Sequence, residues 1–361
     1  YNSYHAPWFG SGAYVKSDFS RQADGVYSLI GTATGPVDSS ILLMKTDTSH
    51  QLEFEKRVFG PPFTLAGNQL MDIYGFNDSL IRLLFTTINS SYILKTNAAG
   101  NLLNAKSIVQ SSAIFSELFE VDGQLLGVGS VSSAGIRGGL ICKMDMDANI
   151  LSSFYINSGV SQRRSVVHYI HKTPDGGFLI AGEDFTPLGT AHVSLLLMRT
   201  DSAMNLIWQH HYSRPLPLSG NMIPKAILDL PQGGFILLID NAVNYYSGIM
   251  VTDNSGNVIS YNSFNTTHST IFPFLHELSY FNDSTIITAG TIEPNLSSMN
   301  SPVILSVDTT GQLKNIKVFP SITTEPLFAT DVRHNKNQGL LFSSSRSIPG
   351  SIKANVIRTD T

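Results

Sequence analysis

The chain has 361 residues, 42% of them hydrophobic and only 14% charged, with a net charge of −4. There is enough apolar material for a sizeable core, in a length that suits two domains or one closed repeat array. The 23 Lys and Arg form no basic block, which excludes nucleic acid as the expected partner, and no long apolar run is present to span a membrane as a helix.

In chain order, the first element is a strand over Asn2–Phe9, since Pro7-Trp8-Phe9-Gly10 resembles Arg57-Val58-Phe59-Gly60 further along. A unit of four short strands then recurs, at about residues 12–60, 66–110, 111–157, 163–213, 220–264, 269–319 and 324–361. Within each unit the first hairpin turn is Ala23-Asp24-Gly25, Asn77-Asp78-Ser79, Val121-Asp122-Gly123, Pro174-Asp175-Gly176-Gly177, Pro231-Gln232-Gly233-Gly234, Asn282-Asp283-Ser284 or Asn337-Gln338-Gly339. An apolar third strand follows and ends on Asp or Asn at 47, 97, 145, 201, 253, 308 and 360. The carboxylate or amide there caps a second turn, for which Gly or Asn supplies positive φ, as in Ala99-Gly100-Asn101 and Ser255-Gly256-Asn257. No helical period is visible. Four-stranded units of about 50 residues predict a β-propeller, here all-β and seven-bladed, as one domain over 1–361.

The seventh unit stops after Asp360, one strand short, and the N-terminal segment fits the vacancy. Residues 1–10, with Trp8 and Phe9 as their apolar anchors, are therefore expected to close the last blade. Donation of that strand to a neighbouring molecule is the alternative. The opening at Tyr1 and the surface rich in Ser, Thr and Asn predict a processed, exported chain. The single cysteine, Cys142, lies in an apolar strand and is expected to be a small buried hydrophobe.

Asp175-Gly-Gly-Phe-Leu-Ile-Ala-Gly182, followed by Ser194-Leu-Leu-Leu-Met-Arg-Thr-Asp201 and Asn205-Leu-Ile-Trp208, resembles a repeat widespread in exported proteins of Bacteroidota. The likeness covers essentially the whole chain, is strongest in the fourth unit and departs at Asn77-Asp78-Ser79 in the second. It implies a secreted or cell-surface propeller of the kind carried by the type IX secretion system, whose C-terminal sorting domain is removed. It says little about ligand, because its recurring residues are turns and core. O-glycosylation at Asp78-Ser79-Leu80 is a further, weaker implication.

The search for chemistry yields little. The adjacent pair His210 and His211 would point to opposite faces of a strand. There is no His-Glu-x-x-His, no Cys-x-x-Cys, no nucleophile elbow and no phosphate loop, so no metal and no cofactor is expected. Trp8 and Trp208 occupy the same outer-strand region as Phe54 and are expected to pack between blades rather than form a cofactor box. One constellation remains. Aligning the first strands sets Asp18, Asp72, Glu117, His168, Lys225, His276 and Asp331 at similar depth along a central channel, where they could bind a cation or a sugar, or simply be solvated. The expected function is a non-enzymatic binding or structural module at the cell surface, with a protein, a glycan or another copy of itself as partner. The alternative is a propeller enzyme acting on extracellular polysaccharide at the channel face.

Overall fold

The computed structural model describes residues 2–6, 14–22, 25–34, 39–47, 52–58, 69–75, 80–86, 91–108, 113–133, 136–156, 164–185, 193–212, 222–241, 246–264, 272–293, 301–319, 327–335, 339–348 and 351–359. Among these there is no helix, and every element is a strand. The first is β1 (Asn2–Ala6). Next come β2 (Tyr14–Gln22), β3 (Gly25–Thr34), β4 (Ser39–Thr46) and β5 (Leu52–Val58). They are followed by β6 (Gln69–Gly75), β7 (Leu80–Thr86), β8 (Ser91–Asn97) and β9 (Leu102–Ile108), then by β10 (Ala113–Val121), β11 (Gln124–Ser133), β12 (Ile136–Met144) and β13 (Ile150–Ile156). The middle of the chain supplies β14 (Arg164–Lys172), β15 (Phe178–Phe185), β16 (Val193–Thr200), β17 (Leu206–Tyr212), β18 (Met222–Asp229), β19 (Phe235–Asn241), β20 (Tyr246–Thr252) and β21 (Val258–Ser263). The last are β22 (Phe272–Asn282), β23 (Thr285–Glu293), β24 (Ser301–Asp308), β25 (Leu313–Val318), β26 (Leu327–Asn335), β27 (Gly339–Ile348) and β28 (Ser351–Thr359).

Strands pair antiparallel in four-stranded sheets taken in chain order: β2 to β5, β6 to β9, β10 to β13, β14 to β17, β18 to β21 and β22 to β25. The sheet at the C-terminus has the order β1-β28-β27-β26, so the two ends of the chain meet in it. Asn2 lies opposite Val356 and Ala6 opposite Ile352. Trp8 and Phe9 lie outside the described residues.

The core sits between successive sheets. Val128 and Ile141 of one sheet pack with Ile180 and Leu196 of the next. Leu179 and Leu197 pack forward onto Leu237 and Ile239, and Leu238 and Val251 onto Leu278 and Leu305. The second and third strands are covered on both faces, which is why Leu195–Met198 and Phe235–Ile239 read as continuous apolar runs. Cys142 is fully buried in such a layer, and burial pushes its thiol pKa up.

The hairpins are built by two devices. At the third-to-fourth-strand turn, Asp201 Oδ1 accepts the N–H groups of Ala203 (2.9 Å) and Asn205 (2.8 Å). Asp145, Asp253, Asp308 and Asn97 repeat this arrangement. The residue before the last of each turn has positive φ. It is glycine at 100, 256 and 311, but Ala148 and Met204 adopt it at 62° and 66° where the expected Gly or Asn is missing. At the first-to-second-strand turn, the second Gly of each Gly-Gly pair is needed for close approach: a Cβ on Gly177 would lie 2.2 Å from Thr200 O, and one on Gly234 2.1 Å from Thr252 O.

Each first strand carries a register shift near its start: between Leu70 and Asp72, Phe115 and Glu117, Val167 and Tyr169, Pro224 and Ala226, Leu275 and Glu277, and Ala329 and Asp331, with a wider one between Tyr14 and Ser17. These are β-bulges, each with a residue that has no partner across the ladder.

Candidate functional site

Antiparallel order gives the sheets two unlike ends. One end carries both hairpin turns. The other carries the connections from second to third strand and from each sheet to the next. The bulges and the buried carboxylates Glu183 and Asp184 lie toward this second end.

The bulges change the alignment of the first strands. The extra residue is Met71, Ser116, His168, Lys225, His276 or Thr330, and the next residue along is Asp72, Glu117, Tyr169, Ala226, Glu277 or Asp331. The residues expected at one level therefore occupy two successive positions. His168, Lys225 and His276 are the bulged residues, whereas Asp72, Glu117 and Asp331 follow the bulge. Asp18 falls one place further, pairing with Leu29. A bulge inserts one residue without disturbing the apolar pattern, so an ungapped alignment could not reveal it. The side chains of Asp18, Asp72, His276 and Asp331 lie outside the described set.

Behind the bulged residues, β15 and β19 carry buried carboxylates that the sequence analysis passed over. Glu183 is 6% exposed, with Oε1 2.8 Å from His168 Nε2, although that nitrogen makes no hydrogen bond to it. The equivalent group in the next sheet is Asp240, whose Oδ2 lies 3.5 Å from Lys225 Nζ and whose Oδ1 accepts the Ser247 hydroxyl. Burial raises the Asp240 pKa, and Lys225 works against that rise. On the opposite face from Glu183, Asp184 is 1% exposed. Its Oδ2 lies 3.1 Å from His211 Nδ1, and Ser165 Oγ donates to its Oδ1 at 3.4 Å. Gln209 Nε2 is 2.7 Å from His211 Nε2. With the amide donating there, Nδ1 carries the imidazole proton and gives it to Asp184. One signal for these groups was available: Glu183-Asp184 stands where the corresponding residues are Ser130-Val131 and Thr291-Ile292.

The two adjacent histidines do face opposite ways. His211 turns to Asp184, while His210 reaches Ser255 O of the next sheet at 2.8 Å. Trp208 Nε1 donates to Asn254 O at 3.1 Å, and the Trp208, His210 and Tyr212 rings stack along β17 at 5.1 and 5.9 Å. This is packing between sheets, as expected for Trp208. Among the described residues no three metal-ligating side chains gather in one place. Chemically, the arrangement sets each of these acids against a base of its own sheet.

No protein-family model matches the chain, and no curated protein matches it. Similar solved structures exist. The β-propeller domain of the Trilobed protease from Pyrococcus furiosus matches with a TM-score of 0.54 and 9% identity, over 98% of this chain and 97% of that one. The AfRom2 CNH domain matches with a TM-score of 0.51 and 14% identity, over 100% and 99%. A GH74 xyloglucanase from Xanthomonas campestris matches with a TM-score of 0.54 and 11% identity, over 94% of this chain and 52% of that one. The fold is that of a β-propeller. At these identities the likeness carries no function.

Proposed function

We propose that this chain is a closed seven-bladed propeller, exported and displayed at a cell surface, acting as a non-enzymatic binding or structural module. The closure rests on β1 pairing with β28, which joins the first and last strands of the chain in one sheet. The export reading rests on the repeat's resemblance to secreted Bacteroidota proteins of the type IX route and on the low charge. Its partner is a surface protein, a glycan or another copy of the chain.

One observation carries the module reading. The buried carboxylates near the bulges each have a protein partner: Glu183 with His168, Asp184 with His211, and Asp240 with Lys225. A glycosidase instead sets two carboxyl groups across a cleft, one held as an acid and one as a base or nucleophile. Here the pairs look inward and stiffen the wall around the bulges, leaving recognition to the surface. The test is a panel of extracellular polysaccharides incubated with the wild type and with Asp18→Asn/Asp331→Asn. The expected outcome is no cleavage by either protein and an unchanged fold. Cleavage by the wild type that the double variant loses would make the propeller a polysaccharide-acting enzyme.

A further inference from the structure

We infer that Asp122-Gly123, the turn between β10 and β11, is a site of spontaneous covalent modification. Its aspartate passes through a cyclic imide to isoaspartate, whereas Asp175-Gly176 in the next sheet is protected.

The reaction needs only the chain and water. The main-chain nitrogen of Gly123 attacks Cγ of Asp122 and gives up its proton, and a carboxyl oxygen leaves as water. Water then opens the five-membered imide at either carbonyl. Opening at the main-chain carbonyl leaves the backbone running through Cβ, with the former main-chain carbonyl as the new carboxylate. The water lost in the first step is regained in the second. Glycine favours the attack, because it carries no side chain to crowd the nitrogen.

The structure leaves Asp122 open to this chemistry. Its side chain is 79% exposed. A Cβ built on Gly123 would meet nothing within 4 Å, so the space around the nucleophile is clear. The Gly123 N–H enters no main-chain hydrogen bond of the described turns. Asp122 sits at φ 53°, a left-handed geometry that an L residue adopts at a cost. The restraint is Lys172 Nζ, which donates to Asp122 Oδ1 at 2.9 Å in an exposed pair that water weakens.

Asp175 is nearly as exposed, at 69%, yet its atoms are engaged. Thr173 Oγ1 donates to its Oδ1 at 2.7 Å, and Arg199 Nη2 and the Gly177 N–H donate to the same oxygen. The Thr173 hydroxyl first, and Arg199 with it, hold this carboxyl below the usual carboxylate range. An ionised oxygen leaves poorly. The nucleophile is held as well, since the Gly176 N–H donates to Thr173 O at 2.9 Å. Asp24, of the third Asp-Gly pair, lies outside the described residues.

The product disturbs two sheets. A turn with Val121 opposite Gln124 has no room for an extra main-chain atom. The new carboxylate stands one carbon closer to the main chain, which withdraws it from Lys172 on β14.

Peptide mapping of the intact protein tests the inference. The protein is aged for weeks at neutral pH and body temperature in water enriched in heavy oxygen, then digested in ordinary water. Trypsin places the two sites in separate peptides, 107–137 and 173–199. Peptide 107–137 should gain a heavy-oxygen species whose electron-transfer fragments report isoaspartate at position 122, several-fold faster than 173–199 gains one at position 175. Thr173→Ala should speed the reaction at Asp175. Asp122→Glu should abolish the product in 107–137, because closure would need a slower six-membered ring. No isoaspartate at 122 in the wild type, or equal rates at the two sites, overturns the inference, and neither result depends on a variant that folds.

Discussion

The two ends of each sheet obey different rules. At the hairpin end, the carboxylates that open the third-to-fourth-strand turns sit in solvent and serve the backbone. Asp145, Asp201 and Asp253 each accept two main-chain N–H groups and an Asn side chain, and these bonds hold their pKa values below the usual range. Toward the opposite end, carboxylates are buried and serve other side chains, and burial moves Asp240 the other way. The same chemical group is thus exposed in the turns at one end and buried at the other, although Asp175 with Arg199 and Asp229 with His171 show that side-chain pairs form at the hairpin end too. Local requirements repeat along the sequence, while the long-range pairs are confined to particular sheets.

The largest expected effect comes from the glycines opposite the bulges. A Cβ on Gly129 would lie 2.0 Å from Ile114 O, and one on Gly182 2.2 Å from Val166 O. Backbone cannot step aside, so either glycine changed to Ala should cost about 3 kcal/mol in denaturant melts. Gly138→Ala is the control, because its nearest neighbour is at 3.6 Å; it should change stability by less than about 0.5 kcal/mol. Equal effects at the two kinds of site would remove the bulge from the account.

Next comes the contact between sheets. Trp208→Ala removes the ring that packs against the Asn254–Gly256 turn and the hydrogen bond to Asn254 O. Because Trp208 is only partly buried, the loss should be about 2 kcal/mol, below that of a core aromatic.

The two kinds of carboxylate should have opposite pH signatures. Asp201 has a lowered folded pKa, so its stabilisation is present above the unfolded value and is lost as pH falls through the folded one. Asp201→Ala should lower the melting temperature at neutral pH and match wild type in strong acid. Asp240 has a raised folded pKa, so stability falls as pH rises from its unfolded value near 3.8 through the folded one. Asp240→Asn should flatten that decline. Parallel profiles for the two variants would erase the distinction between the ends.

The smallest effect is expected at Ala148, whose φ of 62° glycine adopts without penalty. Ala148→Gly should gain less than about 1 kcal/mol, because the lost methyl is buried and offsets part of the relief. Met204→Gly should gain nothing, since Met204 also packs against its neighbours.

Much of the fold was legible because its causes are local. The Asp that caps each turn, the Gly-Gly pair that lets strands approach, and the unbroken apolar third strand lie within a few residues of what they organise. The closing strand was legible for another reason: a repeat with one strand missing and a spare strand at the other end admits a simple match. The candidate site was less legible. The residues aligned at one level split at the bulge, with His168 and Lys225 as the bulged residues and Asp72, Glu117 and Asp331 one position on. Glu183, Asp184 and Asp240 were missed because their partners are supplied by pairing between strands, not by adjacency in the chain.

The sequence by itself determined the repeated four-stranded unit, its turns, the apolar layers and, among the described residues, the absence of helix, since each follows from side-chain pattern and backbone preference over a few residues. Only the tertiary structure decided which residue bulges, which carboxylate meets which cation, and that Trp208 and His210 lie on a neighbouring turn. Those outcomes depend on strand register and on contacts between sheets, where one inserted residue redirects every side chain beyond it without altering the pattern that makes the strand.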